Sequence, residues 1–278
     1  MQTRLATDEL LRWIFEQAKA GHSRAAIFDT MRRSGWSGEE ARAAMDRCLS
    51  SGPKDVPLAA SLVPDPDTGG GNWMIQTTDR VVRVLMSMSL PRLIVFGELL
   101  SLEECDHLIS IARPRLRRSM TTDSWNGMSE PTEERTSTST FLDRGQTSVL
   151  TRIEERISQL LRWPTEYGEG FEVARYTPGQ EFRPHHDYFE PDAPGTSRLL
   201  TPGGQRVATL VMYLRCPAAG GATVFPEAKL AIAPQAGSAV FFSYDRPLSS
   251  TLTQHAGGPV VAGEKWIATK WLRERALE

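Results

Sequence analysis

Cysteine is scarce in this sequence: of 278 residues only Cys48, Cys105 and Cys216 carry a thiol. Their number is odd, their spacings are wide and no Cys-x-x-Cys occurs, which argues against a disulfide framework and a zinc knuckle. Such usage fits a reducing compartment. An excess of one charge is missing too, because 32 Lys and Arg stand against 34 Asp and Glu. Neither nucleic acid nor an anionic membrane is therefore expected as a partner. Long apolar runs are absent as well. The longest, near Leu93–Leu100, is too short to span a bilayer. The charged start, Met1–Glu9, has no apolar core of signal-peptide length. The expectation is a cytoplasmic protein of ordinary globular composition, 40% hydrophobic and 24% charged. Arg113–Arg118, dense in arginine, reads as a solvated helix end, where cations suit the last carbonyls.

What is present divides into two parts. Within residues 1–50, Leu10, Leu11, Ile14, Phe15 and Ala18 recur at helical spacing up to Gly21. Ala25, Ala26, Ile27 and Met31 predict a second helix, stopped at Ser34-Gly35-Trp36. Ser37, with Glu40 three residues on, is a capping box for a third helix through Ala41, Ala44, Met45 and Leu49. Three short helices with a Gly-Trp turn resemble ubiquitin-associated-type modules; a small docking or stabilising bundle with no ligand is the other reading. Residues 51–72 shift to Pro, Gly, Ser and Asp, including Pro64-Asp-Pro-Asp-Thr-Gly-Gly-Gly71, which is linker chemistry. A larger domain is expected over residues 73–278.

In that domain Val81–Met88 and Leu93–Phe96 predict strands. Ser101 and Glu104 form a capping box that opens a helix through Leu108, Ile109 and Ala112. A second helix, Thr147–Leu161, carries Val149, Leu150, Ile153, Ile157, Leu160 and Leu161 on one face, and Pro164 closes it. Between the helices, the polar stretch Ser119–Thr140 reads as a long loop of the lid or binding kind. From Phe171 onward come eight short strands: Phe171–Tyr176, Glu181–Asp187, Arg206–Leu214, Ala222–Phe225, Leu230–Ala233, Ser238–Ser243, Leu252–His255 and Trp266–Leu272. Short strands without intervening helices predict a sandwich or jelly-roll barrel. The fold class is α+β, with helices buttressing one sheet.

Two segments concentrate the chemistry. Strand side chains alternate, so His185 and Asp187 share one face while His186 points away. His255 supplies a second imidazole downstream. Two imidazoles and a carboxylate are the set that holds non-haem Fe(II) by one face, leaving the other open to a co-substrate and dioxygen. His22 and His107 have ordinary structural readings. After His255 and a Gly/Pro turn comes a strand bearing Lys265. Alone, that lysine reads equally as a solvent-facing cation; beside metal ligands it is the counter-charge for the distal carboxylate of 2-oxoglutarate. Val211, Phe225, Val240 and Phe242 are candidates for a dry wall, or for plain core.

Further motifs follow in order: Leu100-Ser-Leu-Glu-Glu-Cys105, Arg135-Thr-Ser137, Arg175-Tyr176, Pro184-His-His-Asp-Tyr-Phe189 and Gly203-Gly-Gln-Arg-Val-Ala-Thr209. Then come Gly220-Gly-Ala-Thr-Val-Phe-Pro226, Pro234-Gln-Ala-Gly237, His255, Gly263-Glu-Lys-Trp266 and Lys270-Trp271. With these, Pro91 to Trp271 resembles the prolyl 4-hydroxylase branch of the Fe(II)/2-oxoglutarate-dependent dioxygenases. The resemblance implies a double-stranded β-helix (jelly-roll) core with Fe(2+) at His185, Asp187 and His255. It implies 2-oxoglutarate held by Lys265, Thr223 and Tyr176, and a prolyl substrate received by Arg206 and Trp271. Dioxygen is the oxidant, succinate and CO2 leave, and ascorbate is a further candidate. The partner implied is a peptide or protein containing proline. Thr223 and Tyr176 also read as plain strand residues, Trp271 as core and Arg206 as solvated.

Two positions depart from the family pattern. Arg273 stands where a histidine is common, and Phe182 where a tyrosine is common. Losing a hydroxyl and gaining a guanidinium can change the substrate. That leaves room for hydroxylation of a free amino acid or small metabolite whose carboxylate pairs with Arg273. A non-catalytic barrel binding metal or a carboxylate, as an interaction module, is the reading from another class; the set of His185, Asp187, His255 and Lys265 speaks against it.

Overall fold

The computed structural model describes residues 24–38, 40–42, 44–45, 63–122, 127–190 and 193–277, with Leu10, Trp13, Ile14 and Gln17. Contacts divide the chain into Met1–Ala60 and Ser61–Glu278. In the first unit, helix α1 (Arg24–Arg33) ends where Gly35 takes φ +88. The Trp36 N–H then reaches the Met31 carbonyl at 3.2 Å, and the Gly35 N–H that of Arg32 at 3.1 Å, a left-handed glycine stop. Glu40 N–H donates to Ser37 Oγ at 3.1 Å, and Ser37 N–H to Glu40 Oε2 at 3.0 Å, the reciprocal cap expected. Ile14, Ile27, Met31, Ala41, Ala44 and Met45 form a core. Leu11, Phe15, Ala18, Gly21, His22, Cys48, Leu49 and residues 51–62 lie outside the described residues.

In the second unit, residues 63–72 are attached rather than a free linker: Arg92 pairs with Asp65 at 2.5 Å and Arg162 with Asp67 at 2.6 Å. Strands β1 (Met74–Gln76), β2 (Val81–Met88) and β3 (Arg92–Gly97) precede helix α2 (Leu102–Ala112). Then come β4 (Arg117–Arg118), β5 (Thr121–Thr122), β6 (Ser129–Glu130), β7 (Thr138–Leu142) and helix α3 (Ser148–Leu161). Strands β8 (Phe171–Tyr176) and β9 (Phe182–His185) are followed by the short helix α4 (Thr196–Leu200) and by β10 (Arg206–Arg215). The chain continues through β11 (Ala219–Gly220), β12 (Thr223–Phe225), β13 (Leu230–Ile232) and β14 (Ala239–Ser243). It finishes with β15 (His255–Gly257), β16 (Val260–Ala262) and β17 (Lys265–Arg273).

The main sheet has nine strands in the order β1-β2-β3-β14-β10-β17-β8-β7-β4, and a second has four, β13-β12-β15-β9. Both helices that flank the main sheet start as the sequence predicts. Ser101 Oγ accepts from Glu104 N–H at 3.1 Å while Ser101 N–H donates to the Glu104 carboxylate at 2.9 Å. Thr147 Oγ1 accepts from Leu150 N–H at 3.2 Å. Leu108 and Ile109 of α2, with Ile153 and Ile157 of α3, pack on Phe96, Leu210 and Ala268 of one sheet face. The opposite face joins the small sheet through Val211, Tyr213, Phe225, Ile232, Val240 and Phe242. This is the jelly-roll with buttressing helices that the pattern implied. Strand β17 is buried along its whole length because both faces are covered.

The structure departs from the sequence reading in several places. Strand β9 stops at His185, so Asp187 follows in a bend. Thr138–Thr140, the end of the expected loop Ser119–Thr140, is not loop but the start of β7, paired with β8; its hydroxyl-bearing side chains disguised it as polar. Leu252 takes φ +53 after a tight turn, and the strand begins only at His255. The short β1 and β16 gave no signal. Arg113–Arg118 does follow α2 as an exposed end: Arg113 is the C-cap and all four arginines are exposed, although Arg113 also stacks on Trp266 at 4.8 Å and Arg118, in β4, donates to the Thr132 carbonyl at 2.8 Å.

Candidate active site

The antiparallel register of β15 and β9 sets His255 opposite His185, and their ring centroids stand 4.3 Å apart. Each ring is fixed by its own backbone. His185 Nδ1 lies 2.9 Å from the Arg183 carbonyl and His255 Nδ1 3.1 Å from that of Thr253. A carbonyl only accepts, so both Nδ1 atoms carry the proton and both Nε2 lone pairs are free. The two Nε2 atoms face the Asp187 carboxylate at 3.5 and 3.6 Å. One ligand atom from each of the three residues lies within 4.8 Å of the others, a grouping suited to a metal ion. Burial pushes the His255 imidazole down to about 4, which keeps it neutral as a ligand must be. Burial opposes ionisation of Asp187, yet His255, His185 and Arg206 together hold its carboxyl well below the usual range. His186 is outside the group, stacked on Tyr188 at 4.6 Å.

A cleft opens in front of these ligands. Lys265 lies in its wall, only 2% exposed, opposite Tyr176 in the register of β17 and β8. The rings of Tyr176 and Tyr213 stand 5.6 and 5.8 Å from its Nζ, and no carboxylate among the described residues pairs with it. Burial lowers its ammonium to about 8. Gly257 faces it: a Cβ there would stand 4.0 Å from Nζ, so glycine leaves space beside the charge. Thr223 is close by, its Oγ1 accepting from Tyr213 Oη at 2.7 Å. Two imidazoles, a carboxylate and an unpaired buried cation fit a ferrous ion and a dianionic acid. Tyr176, Thr223 and Lys265 thus line the same cleft as the metal group.

The expected substrate residues divide. Trp271 lines the cleft, and its buried indole N–H has no partner among the described residues. Arg206 lies behind it, its guanidinium 4.0 Å from the Trp271 ring and 4.9 Å from that of Phe189. Both oxygens of Glu169 accept from Arg206, at 2.7 and 2.8 Å. Arg273 is not a free guanidinium. It is buried, donating to Glu169 at 2.9 Å and to the carbonyls of Leu199 and Pro202. The reading of Arg273 as a partner for a substrate carboxylate is corrected accordingly. Phe182 stacks on the His185 ring at 3.6 Å. Of the expected dry wall, Val211 reaches the cleft, Phe225 and Phe242 pack on His255 at 5.8 and 4.6 Å, and Val240 is core. Sequence reasoning missed the role of Arg135 and Glu172, a buried pair at 2.8 Å in the cleft wall. The Arg135 motif was visible; its partner on β8 was not.

A jelly-roll presenting this group defines a mononuclear metal site of the oxygenase type. Residues 171–273 match the 2OG-Fe(II) oxygenase superfamily. The chain is 39% identical over 204 residues to probable prolyl 4-hydroxylase 3 of Arabidopsis thaliana, covering 66% of this chain and 69% of that protein. Prolyl 4-hydroxylase 5 of the same plant is 40% identical over 202 residues, covering 65% and 68%. Among solved structures, the viral collagen prolyl hydroxylase of Paramecium bursaria Chlorella virus-1, in its 2OG complex, gives a TM-score of 0.51 at 32% identity, covering 65% of this chain and 95% of that one. The chain belongs to the 2OG-Fe(II) oxygenase superfamily and is a 2-oxoglutarate-dependent dioxygenase. Its cofactor is Fe(2+), with 2-oxoglutarate and dioxygen as co-substrates.

Proposed function

We propose that the protein hydroxylates a prolyl residue in a peptide or protein, consuming 2-oxoglutarate and dioxygen and releasing succinate and CO2. One observation carries the chemistry: a lysine 2% exposed and without a carboxylate partner shares a cleft with two imidazoles and an aspartate. A buried ammonium left alone is destabilising, so the site calls for an anion. When bound, the iron with its co-substrates supplies the oxidation of a C–H bond. The chain supplies the geometry. Lys265 meets the distal carboxylate of 2-oxoglutarate. Because Tyr213 already donates to Thr223 Oγ1, the Thr223 proton is left to point at that same carboxylate. Tyr176 offers its phenol from the opposite strand. Phe225 and Phe242 keep water from the back of His255. Arg206, held by Glu169, props the Trp271 indole as a fixed wall for the substrate.

Proline as the target is supported by the relatives' names together with 39–40% identity through the catalytic unit. A chain-like substrate suits the surface beside Trp271, where Phe141 is 58% exposed and its ring stands 6.4 Å from the indole. Oxidation of a free amino acid loses its specific support, since Arg273 is committed inside the protein. Ascorbate serves as an accessory reductant, and the unpaired Cys105 and Cys216 suit a cytoplasmic setting.

The test is turnover with Fe(II), ascorbate, 2-oxoglutarate and proline-containing peptides. Succinate should form in step with a one-oxygen mass gain on proline, and His185→Ala should abolish both. Turnover persisting in that variant would refute the ligand assignment. Oxygen gain on free proline alone would remove the peptide reading.

A further inference from the structure

We propose that Thr209 and Tyr244 are positioning residues for Asp187, forming a buried hydroxyl relay that holds one carboxylate oxygen and leaves the other to the metal. The proposal rests on reading His185, Asp187 and His255 as the metal ligands. Thr209 Oγ1 lies 2.7 Å from Asp187 Oδ2, and Tyr244 Oη lies 3.0 Å from Thr209 Oγ1. Thr209 is 0% and Tyr244 2% exposed, so no bulk water competes for these bonds. The donor order follows from proton counting. An ionised carboxylate only accepts, so Thr209 donates its single proton to Asp187, and the Tyr244 hydroxyl must donate to Thr209.

The relay answers a structural need. Asp187 lies beyond the end of β9 and has no sheet partner to orient it. Among the described residues the Asp187 backbone carbonyl accepts from Arg206 alone, over a long 3.4 Å. A carboxylate free to rotate can bind a metal through both oxygens and close a position that 2-oxoglutarate or dioxygen needs. With Oδ2 tied to Thr209, Oδ1 is the oxygen left for the metal, and ligation is through one oxygen. Thr209 itself is rigid, because β10 is paired on both sides, with Phe242 and Trp271 as its cross-strand neighbours. Tyr244 is wedged edge-on against Tyr188 at 5.8 Å.

The experiment is calorimetric titration of Co(II), the probe, into the full chain freed of metal. Thr209→Val keeps the shape and removes the hydroxyl; it should weaken Co(II) binding roughly 10–100-fold, the usual effect of deleting a ligand's supporting hydrogen bond. Thr209→Ser should restore near-native affinity. Tyr244→Phe should weaken binding less, and the double variant Thr209→Val/Tyr244→Phe should bind no worse than Thr209→Val alone, because Tyr244 acts only through Thr209. A purely structural role would lower the melting temperature without this pattern in Kd. Wild-type affinity in both single variants, or losses that multiply in the double, overturns the relay. Tyr244→Phe, which deletes one oxygen, keeps the question answerable should Thr209→Val not fold. Co(II) binding that survives Asp187→Ala instead overturns the ligand assignment, and the relay with it.

Discussion

Lys265 should make the metal-free, co-substrate-free enzyme less stable than it need be, and Lys265→Met should reveal by how much. Burial holds the ammonium at about 8, against an ordinary value of 10.5. At 1.36 kcal/mol per pH unit, that difference is about 3 kcal/mol against the charged form. The sign follows from linkage. Between pH 8 and 10.5 the unfolded chain keeps the lysine proton that the folded chain has lost, so stability rises with pH across that window. Below pH 8 the whole penalty is present. Methionine fills similar space without charge, at a packing loss of under about 1.5 kcal/mol. The variant should therefore melt higher than wild type at pH 7, by roughly 5 °C, given about 2–4 °C per kcal/mol for a unit of this size. The gap should shrink as pH rises from about 8 to 10.5 and change no further above that. In calorimetry, Lys265→Met should lose 2-oxoglutarate binding, and wild-type affinity should weaken as pH rises above about 8. A variant no more stable than wild type at pH 7, or wild-type 2-oxoglutarate affinity flat from pH 7 to 9.5, would refute the reasoning.

Two further outcomes are expected. Glu169→Gln removes the one carboxylate shared by Arg206 and Arg273, and stranding buried guanidinium charge should lower stability by about 3–5 kcal/mol in urea titration. The same variant should lose kcat/KM for a peptide more than affinity for 2-oxoglutarate, since Arg206 props Trp271 and does not line the co-substrate pocket; equal losses in both would count against that division. Ser101→Ala breaks the capping box of α2 far from the cleft and should reduce stability by about 1 kcal/mol while leaving kcat unchanged.

Much of the chemistry was legible in the sequence because it restricts residue type. Only a few side chains bind iron or anchor a carboxylate, so His185, Asp187, His255 and Lys265 stood out, and all four line one cleft. The helices were legible for a local reason: Ser101 with Glu104, and Thr147 before an apolar face, are signals within one turn. Pairings formed across the fold were not legible. Arg273 read as an available cation because its partner Glu169 is 104 residues upstream and joins it only when β17 lies in the main sheet. Thr138–Thr140 read as the end of a loop because the buried Ser139 finds Glu172 on β8, a bond that no local pattern announces.

Asp187 shows how a correct expectation can rest on an incomplete cause. Strand alternation put it on the same side as His185, yet β9 has already ended at His185. What brings the carboxylate to the imidazoles is a bond from Thr209, on a ten-residue strand paired along both edges. The strands bearing the histidines are four and three residues long, too short to fix a metal group unaided. The rigidity of the site therefore resides in the main sheet, which reaches across the barrel through Thr209 to Asp187 and through Lys265 to the co-substrate pocket. Substitutions in β10 and β17 should on this account disturb iron and 2-oxoglutarate more than equally conservative ones in β9, even though β9 carries the motif.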